Sequence, residues 1–132
     1  MLLKAKKLIL IFFALCKVPA YISKFNRNSV QKIFFEIENE KVKTNDINFP
    51  IEKIIELVRT LVLCFQFSKN CFLRAYVSYK VLSDLGIKNH FYVGVFADQN
   101  FKSHAWIENR GRALLEPPQK INNLAIIFTT NK

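Results

Sequence analysis

The hydrophobic positions in the first half of the chain recur mostly at helical spacing. A basic, largely apolar stretch predicts a first helix over residues 2–17, which ends near Pro19 because proline cannot continue it. A second helix is expected over residues 21–35, followed by a polar loop or link over residues 36–48. Pro50 then starts an amphipathic helix to about residue 64, with apolar side chains at three- and four-residue spacing: Ile51, Ile54, Ile55, Val58, Leu61 and Val62.

A capping signal marks the next helix. The Asn70 side chain can accept hydrogen bonds from the unpaired amides of a first turn, so a helix is predicted from Cys71 to about Leu85, where Gly86 ends it. The pattern then changes to short runs rich in aromatic and β-branched residues, which predict three strands: residues 90–96, 102–108 and 112–116. Helices followed by a small antiparallel sheet define an α+β fold.

The last two strands are close enough in sequence to form a hairpin. The segment Asn109-Arg110-Gly111 fits a three-residue loop with glycine in the left-handed conformation. Pairing Glu108 with Arg112 sets a register that places His104 opposite Glu116. Residues directly opposed in a hairpin have Cβ atoms about 4.5–5.5 Å apart. The sequence therefore predicts that an imidazole and a carboxylate touch on one face of the sheet.

Charge distinguishes the start of the chain from the rest. The 132 residues suit one domain and carry a net charge of +10. Residues 1–33 contain no acidic residue and seven basic ones: Lys4, Lys6, Lys7, Lys17, Lys24, Arg27 and Lys32. Such a segment suits an anionic membrane face, an acidic peptide or a nucleic acid. Because no nucleic-acid-binding motif accompanies the charge, nucleic acid is not expected as a partner.

The basic start also has features of a signal peptide, since lysines precede the apolar residues 8–16. No small-x-small cleavage site follows, and nine apolar residues are too few to span a bilayer, which needs about twenty. The first helix is therefore expected to cover the core, with contact to a membrane or a partner surface as the alternative.

The cysteine pattern predicts a reducing, cytoplasmic compartment, because Cys16, Cys64 and Cys71 are odd in number and lack CxxC spacing. With only two histidines, no metal site is expected, and no cofactor. Cys71 is the reactive candidate, since the start of a helix favours a thiolate. With His104 and Glu116 it supplies the groups of a cysteine nucleophile. A core thiol beside a surface histidine–glutamate pair remains an open alternative.

Several stretches resemble the lasso-peptide B-protein peptidases, which are transglutaminase-like cysteine proteases. The family pattern has Cys-Leu-x-Arg-Ser, Leu-x-x-x-Gly-Ile/Val, a strand ending Gly-Val, and His-Ala-Trp-Val-Glu. The corresponding stretches of this chain are Asn70-Cys71-Phe72-Leu73-Arg74-Ala75, Leu82 to Gly86-Ile87, Val93-Gly94-Val95, His104-Ala105-Trp106-Ile107-Glu108 and Gly111. The similarity covers residues 51–117 and implies a transglutaminase/papain-like fold, in which the sheet packs on the nucleophile helix.

The resemblance also implies a role for each residue of the candidate site. Cys71 would be the nucleophile, His104 the general base and acid, and Glu116 the orienting carboxylate, where the family usually has aspartate. Glu108 is the alternative carboxylate. Substrate-binding residues are expected at Trp106 and Arg74.

Family members remove the leader from a ribosomally made precursor before a separate cyclase closes the lasso ring. The chain resembles the peptidase half alone, with a basic helical segment over residues 1–50 packed on a peptidase core over residues 51–132. The implied partners are the precursor leader peptide, a separate leader-recognition protein and the lasso cyclase. A non-catalytic scaffold, a membrane-associated binding protein, and an enzyme that deamidates or cross-links its substrate are the alternatives.

Overall fold

The fold was analysed in a computed structural model, which describes residues 2–41, 43–45, 47–66, 70–96, 102–116 and 121–130. Within these residues, five helices precede a four-stranded antiparallel sheet of order β3-β2-β1-β4. The elements are α1 (Leu2–Cys16), α2 (Val18–Arg27), α3 (Val30–Asn39), α4 (Ile51–Gln66), α5 (Cys71–Asp84), β1 (His90–Phe96), β2 (Lys102–Asn109), β3 (Arg112–Ala113) and β4 (Ala125–Thr129). The α+β prediction is confirmed.

The single helix predicted over residues 21–35 is wrong, because the segment divides into α2 and α3. Ser29 adopts an extended conformation there, and its side chain accepts a hydrogen bond from the Lys32 amide at 3.3 Å. A serine in that position caps a new helix and ends the old one. The polar loop predicted from residue 36 also begins late, since α3 continues to Asn39 and buries Ile37.

The long helix α5 lies at the centre of the molecule and is buried along most of its length. It packs against α2, α4 and β2, so residues from both halves of the chain contribute to one apolar core. Lys80 is the charged residue on its buried surface, and its Nζ binds Glu36 Oε1 at 3.1 Å and Glu40 Oε1 at 2.8 Å. These ion pairs join α3 to α5, and they supply the partners that a buried ammonium needs.

The hairpin register differs by one residue from the prediction. Glu108 pairs with Ala113 and Asn109 with Arg112, which leaves a two-residue turn. Both turn residues have positive φ, 53° at Arg110 and 76° at Gly111, as a type I′ turn requires. Because the predicted three-residue loop is wrong, the ladder itself does not place His104 opposite Glu116.

The strand predicted over residues 112–116 is also shorter, because β3 ends at Ala113. The Leu114 amide still donates to the Ile107 carbonyl at 3.0 Å, but Leu115 then takes a left-handed conformation with φ 55°. A left-handed residue turns the chain out of the strand direction. Glu116 follows this turn and lies against His104. The predicted contact between the two side chains therefore forms, but through the turn at Leu115 and not through pairing in the hairpin.

Candidate active site

Cys71 is the first residue of α5, where the helix cap forms as predicted. The Asn70 side-chain oxygen accepts hydrogen bonds from the amides of Phe72 and Leu73, at 3.0 Å and 3.3 Å. The cap fixes the first turn and leaves the thiol partly exposed at the positive end of the helix dipole. Cys16 and Cys64 are both exposed, on α1 and α4. Cys71 is therefore the cysteine whose backbone setting favours a thiolate.

His104 lies on β2, the strand that packs against α5, and its imidazole contacts the Cys71 thiol. The Nε2 atom of the same ring lies 3.2 Å from Glu116 Oε2, and the two side chains are only 10% and 7% exposed. Nε2 forms no well-aligned hydrogen bond, so the contact with Glu116 is an ion pair rather than a directed bond. The structure thus brings the three predicted groups into one chain of contacts.

The charges of this cluster reinforce one another. Burial raises the pKa of the Cys71 thiol, but the contact with His104, the backbone amide of Ala105 and the charges of His104 and Arg74 together lower it below its ordinary value. Contact with Cys71, and then with Glu116, raises the pKa of His104 from 6.5 to about 9 against the effect of burial. Both shifts favour a thiolate beside an imidazolium, which is the reactive form of a cysteine nucleophile.

Arg59 of α4 holds the carboxylate in place. Its Nη2 atom lies 3.3 Å from Glu116 Oε1, and its Nη1 atom donates to the Leu115 carbonyl at 3.3 Å. One guanidinium therefore binds both the left-handed residue and the carboxylate that follows it. Because Glu116 contacts Arg59 through one oxygen and His104 through the other, both of its oxygens are used.

Arg59 was not among the site residues predicted from the sequence. A local signal was present, because Arg59 follows Ile55 by four residues and precedes Val62 by three, which places it at the edge of the apolar stripe of α4. A cation in such a position needs an acidic partner.

Glu108, the alternative carboxylate, has another partner. Its Oε2 atom accepts a hydrogen bond from the indole nitrogen of Trp106 at 2.9 Å. Glu116 is therefore the carboxylate in contact with the histidine.

Trp106, a predicted substrate-binding residue, is enclosed beside His104, and substrate binding by Trp106 stays a prediction. The ring is only 2% exposed and lies stacked against Tyr92 and His104, with centroids 5.5 Å and 6.0 Å away. It supports the histidine from within the core. A buried indole nitrogen needs an acceptor, which Glu108 provides.

Arg74 lies one turn after the cysteine and lines a small cavity beside Cys71 and Glu116. The cavity measures about 10 Å³, which is enough for about one water molecule. The Nε atom of Arg74 is buried without a hydrogen-bond partner, and its charge lowers the pKa of Cys71. Substrate binding by Arg74 stays a prediction.

The first turn of α5 also offers a backbone donor for an oxyanion. The amides of Phe72 and Leu73 bind Asn70, so the helix-start donor that Asn70 does not occupy is the amide of Cys71 itself. That amide is the candidate for stabilising an oxyanion.

Among the described residues, no three His, Cys, Asp or Glu side chains are grouped as metal ligands. The expectation about cofactors remains untested.

A helix-start cysteine, a strand histidine and a clamped carboxylate on an α+β scaffold define a cysteine-nucleophile type of site. The family model described as the Transglutaminase-like superfamily matches residues 32–129. The chain therefore belongs to the transglutaminase-like superfamily, which often contains cysteine protease-like enzymes. It matches no curated protein and no solved structure. The match begins in α3, and the division at residue 50 stays a prediction.

Proposed function

We propose that the chain is the leader peptidase of a lasso-peptide pathway and hydrolyses a precursor between its leader and its core. The observation that carries the proposal is the contact chain Cys71–His104–Glu116, with the thiol at a capped helix start. The superfamily match supports the cysteine-nucleophile chemistry. The sequence motifs around Cys71 and His104 support the choice of a leader peptide as substrate.

The proposed reaction is acyl transfer in two steps. The Cys71 thiolate attacks the scissile carbonyl carbon, forming a carbon–sulfur bond, while the His104 imidazolium gives its proton to the leaving amine as the carbon–nitrogen bond breaks. The neutral imidazole then removes a proton from water, which attacks the thioester and releases the carboxylate product along with the thiol. Glu116 stabilises the imidazolium in both steps, and Arg59 keeps Glu116 in position.

The proposed partners follow from the same assignment. A separate leader-recognition protein would deliver the precursor, because the described residues before Ile51 form three helices and no strand with which a leader could pair. A lasso cyclase would consume the released core. We place the reaction in the cytoplasm, where the precursor is made.

The test uses the purified chain, its leader-recognition protein and the precursor, with products identified by mass. Hydrolysis gives two fragments, deamidation adds about one dalton, and transamidation adds the amine acceptor. We expect two fragments with the wild type and with Cys64→Ala, the matched control at an exposed cysteine. Cys71→Ala should give none. An intact precursor with the wild type, or full cleavage by Cys71→Ala, would refute the proposal, and a mass increase would indicate one of the alternative enzymes.

A further inference from the structure

From Leu8 to Cys16, helix α1 is apolar around its whole circumference, but the domain covers only one side of it. Ala14 is buried, and Leu10, Ile11 and Leu15 pack against the core. The opposite side carries four large apolar side chains that are each more than half exposed: Leu8, Ile9, Phe12 and Phe13. A helix that is apolar all round is normally buried all round, and a contiguous exposed apolar patch marks an interaction surface.

Lysines border this exposed face on both edges. At 3.6 residues per turn, Lys4 lies beside Leu8 on one edge, and Lys6 lies beside Phe13 on the other. Both lysines are exposed, whereas Lys17, which follows the helix, lies 3.9 Å from Asp84 of α5. The first acidic residue in the sequence is Glu36, so α1 and α2 carry no carboxylate that could offset the charges of Lys4 and Lys6. An apolar face with a cationic border is complementary to lipid chains beneath anionic headgroups.

The same charges disfavour a second copy of this chain as the occupant. Two copies meeting through this face would bring their lysine borders together, and like charges across an interface are repulsive. An anionic lipid surface has the opposite charge and can cover the whole face at once.

The fold favours a helix lying in the membrane plane over one that crosses the membrane. Within the described residues, one stretch, Lys4–Arg27, is long and apolar enough to span a bilayer by length and composition alone. It is interrupted at Lys17, and its second half contributes Val18 and Ile22 to the domain core. Crossing a bilayer would remove these two side chains from the core, whereas lying in the interface uses only the face of α1 that is already exposed.

From these observations we propose that α1 is an in-plane anchor for an anionic membrane surface, with Leu8, Ile9, Phe12 and Phe13 inserted at the headgroup boundary. The cysteine site belongs to α5 and β2, so the anchor and the site are separate parts of the chain. Lipid binding therefore does not depend on the proposed peptidase activity.

The experiment is flotation of the full chain with phosphatidylcholine vesicles that either contain or lack phosphatidylglycerol. We expect the wild type to float with the anionic vesicles, with at least roughly tenfold weaker binding to the neutral ones. Phe12→Ser together with Phe13→Ser should reduce binding at least about tenfold. The matched control is Phe35→Ser on α3, which removes an equally exposed phenylalanine and should leave binding unchanged. Lys4→Glu and Lys6→Glu should each weaken binding by about fivefold or more.

All of these side chains are exposed, so circular dichroism should show each variant folded. Cys71→Ala should float like the wild type, which separates this proposal from the peptidase. Equal binding to both vesicle types, or unchanged binding by the double phenylalanine variant, would overturn it. Self-association without vesicles that disappears in that variant would also overturn it and identify a second copy as the occupant.

Discussion

Replacing Glu116 with glutamine should make Cys71 less reactive without changing the cysteine itself. The substitution keeps the size of the side chain but removes the charge that lies 3.2 Å from His104 Nε2. Without that charge the imidazolium is less stable, so the pKa of His104 falls and that of the Cys71 thiol rises. The thiolate fraction at neutral pH should therefore decrease.

The structure sets the size of the effect. Two unit charges 3.2 Å apart attract by about 5 kcal/mol at an effective dielectric constant near 20. Arg59 already offsets part of the charge on Glu116, so the full value does not apply. The rise of the His104 pKa from 6.5 to about 9 is the upper limit, and contact with Cys71 is its first cause. Glu116 accounts for only part of that rise, so we expect the alkylation rate of Cys71 near neutral pH to fall by a factor of a few, and by no more than about tenfold.

The assay measures the rate of alkylation by iodoacetamide against pH, and it needs no substrate. The exposed Cys16 and Cys64 are first replaced by serine so that Cys71 is the only thiol left. Glu116→Gln should move the titration of the thiol to higher pH. Glu116→Asp should restore most of the lost reactivity, and Glu108→Gln should change nothing, because Glu108 binds Trp106. An unchanged profile for Glu116→Gln, or an equal shift for Glu108→Gln, would refute the reasoning.

Three other substitutions test separate contacts. Arg59→Met should lower the proposed cleavage activity about tenfold, because Glu116 loses its clamp. Removing the Arg59 charge does not lower the pKa of His104, so the pH–rate profile of Arg59→Met should keep its position. A profile displaced to lower pH would contradict a positioning role for Arg59. Lys80→Met leaves Glu36 and Glu40 without their shared cation, so it should lower the free energy of unfolding, measured in urea, by about 3 kcal/mol. The control Lys53→Met, at an exposed lysine, should change it by close to zero. Gly111→Ala should lower the free energy of unfolding by about 1 kcal/mol in the same measurement, because alanine is strained at a φ of 76°. Nothing lies within 4 Å of the added methyl group, so a clash does not contribute, and no loss of stability would refute the assignment of strain to φ.

Features set by neighbouring residues could be predicted from the sequence. Asn70 and the residues after it are enough to start α5, and the alternation around His104 is enough to predict β2. The break at Ser29 was equally local, but a helix was predicted across it. The register of the hairpin depended on Arg110 taking a positive φ, which glycine and asparagine usually take and arginine rarely does.

The remaining parts of the site depend on contacts between distant segments. Arg59 and Glu116 are 57 residues apart, and no spacing rule connects a helix in one half of the chain with a turn in the other. The burial of Trp106 depends on how Tyr92 and Glu108 surround it. Local patterns could therefore identify the reactive groups, whereas the clamp that orients them required the folded chain.

The clamp on Leu115 and Glu116 makes the reactivity of the thiol depend on complete folding. Cys71 comes from α5, His104 from β2, Arg59 from α4 and Glu116 from the segment after β3. Separation of β2 or of the segment after β3 removes a charge that favours the thiolate–imidazolium pair, and separation of α4 removes the clamp that holds Glu116. In an unfinished or partly unfolded chain Cys71 is therefore an ordinary cysteine, and we expect its thiol to gain full reactivity only when the last of the four segments docks.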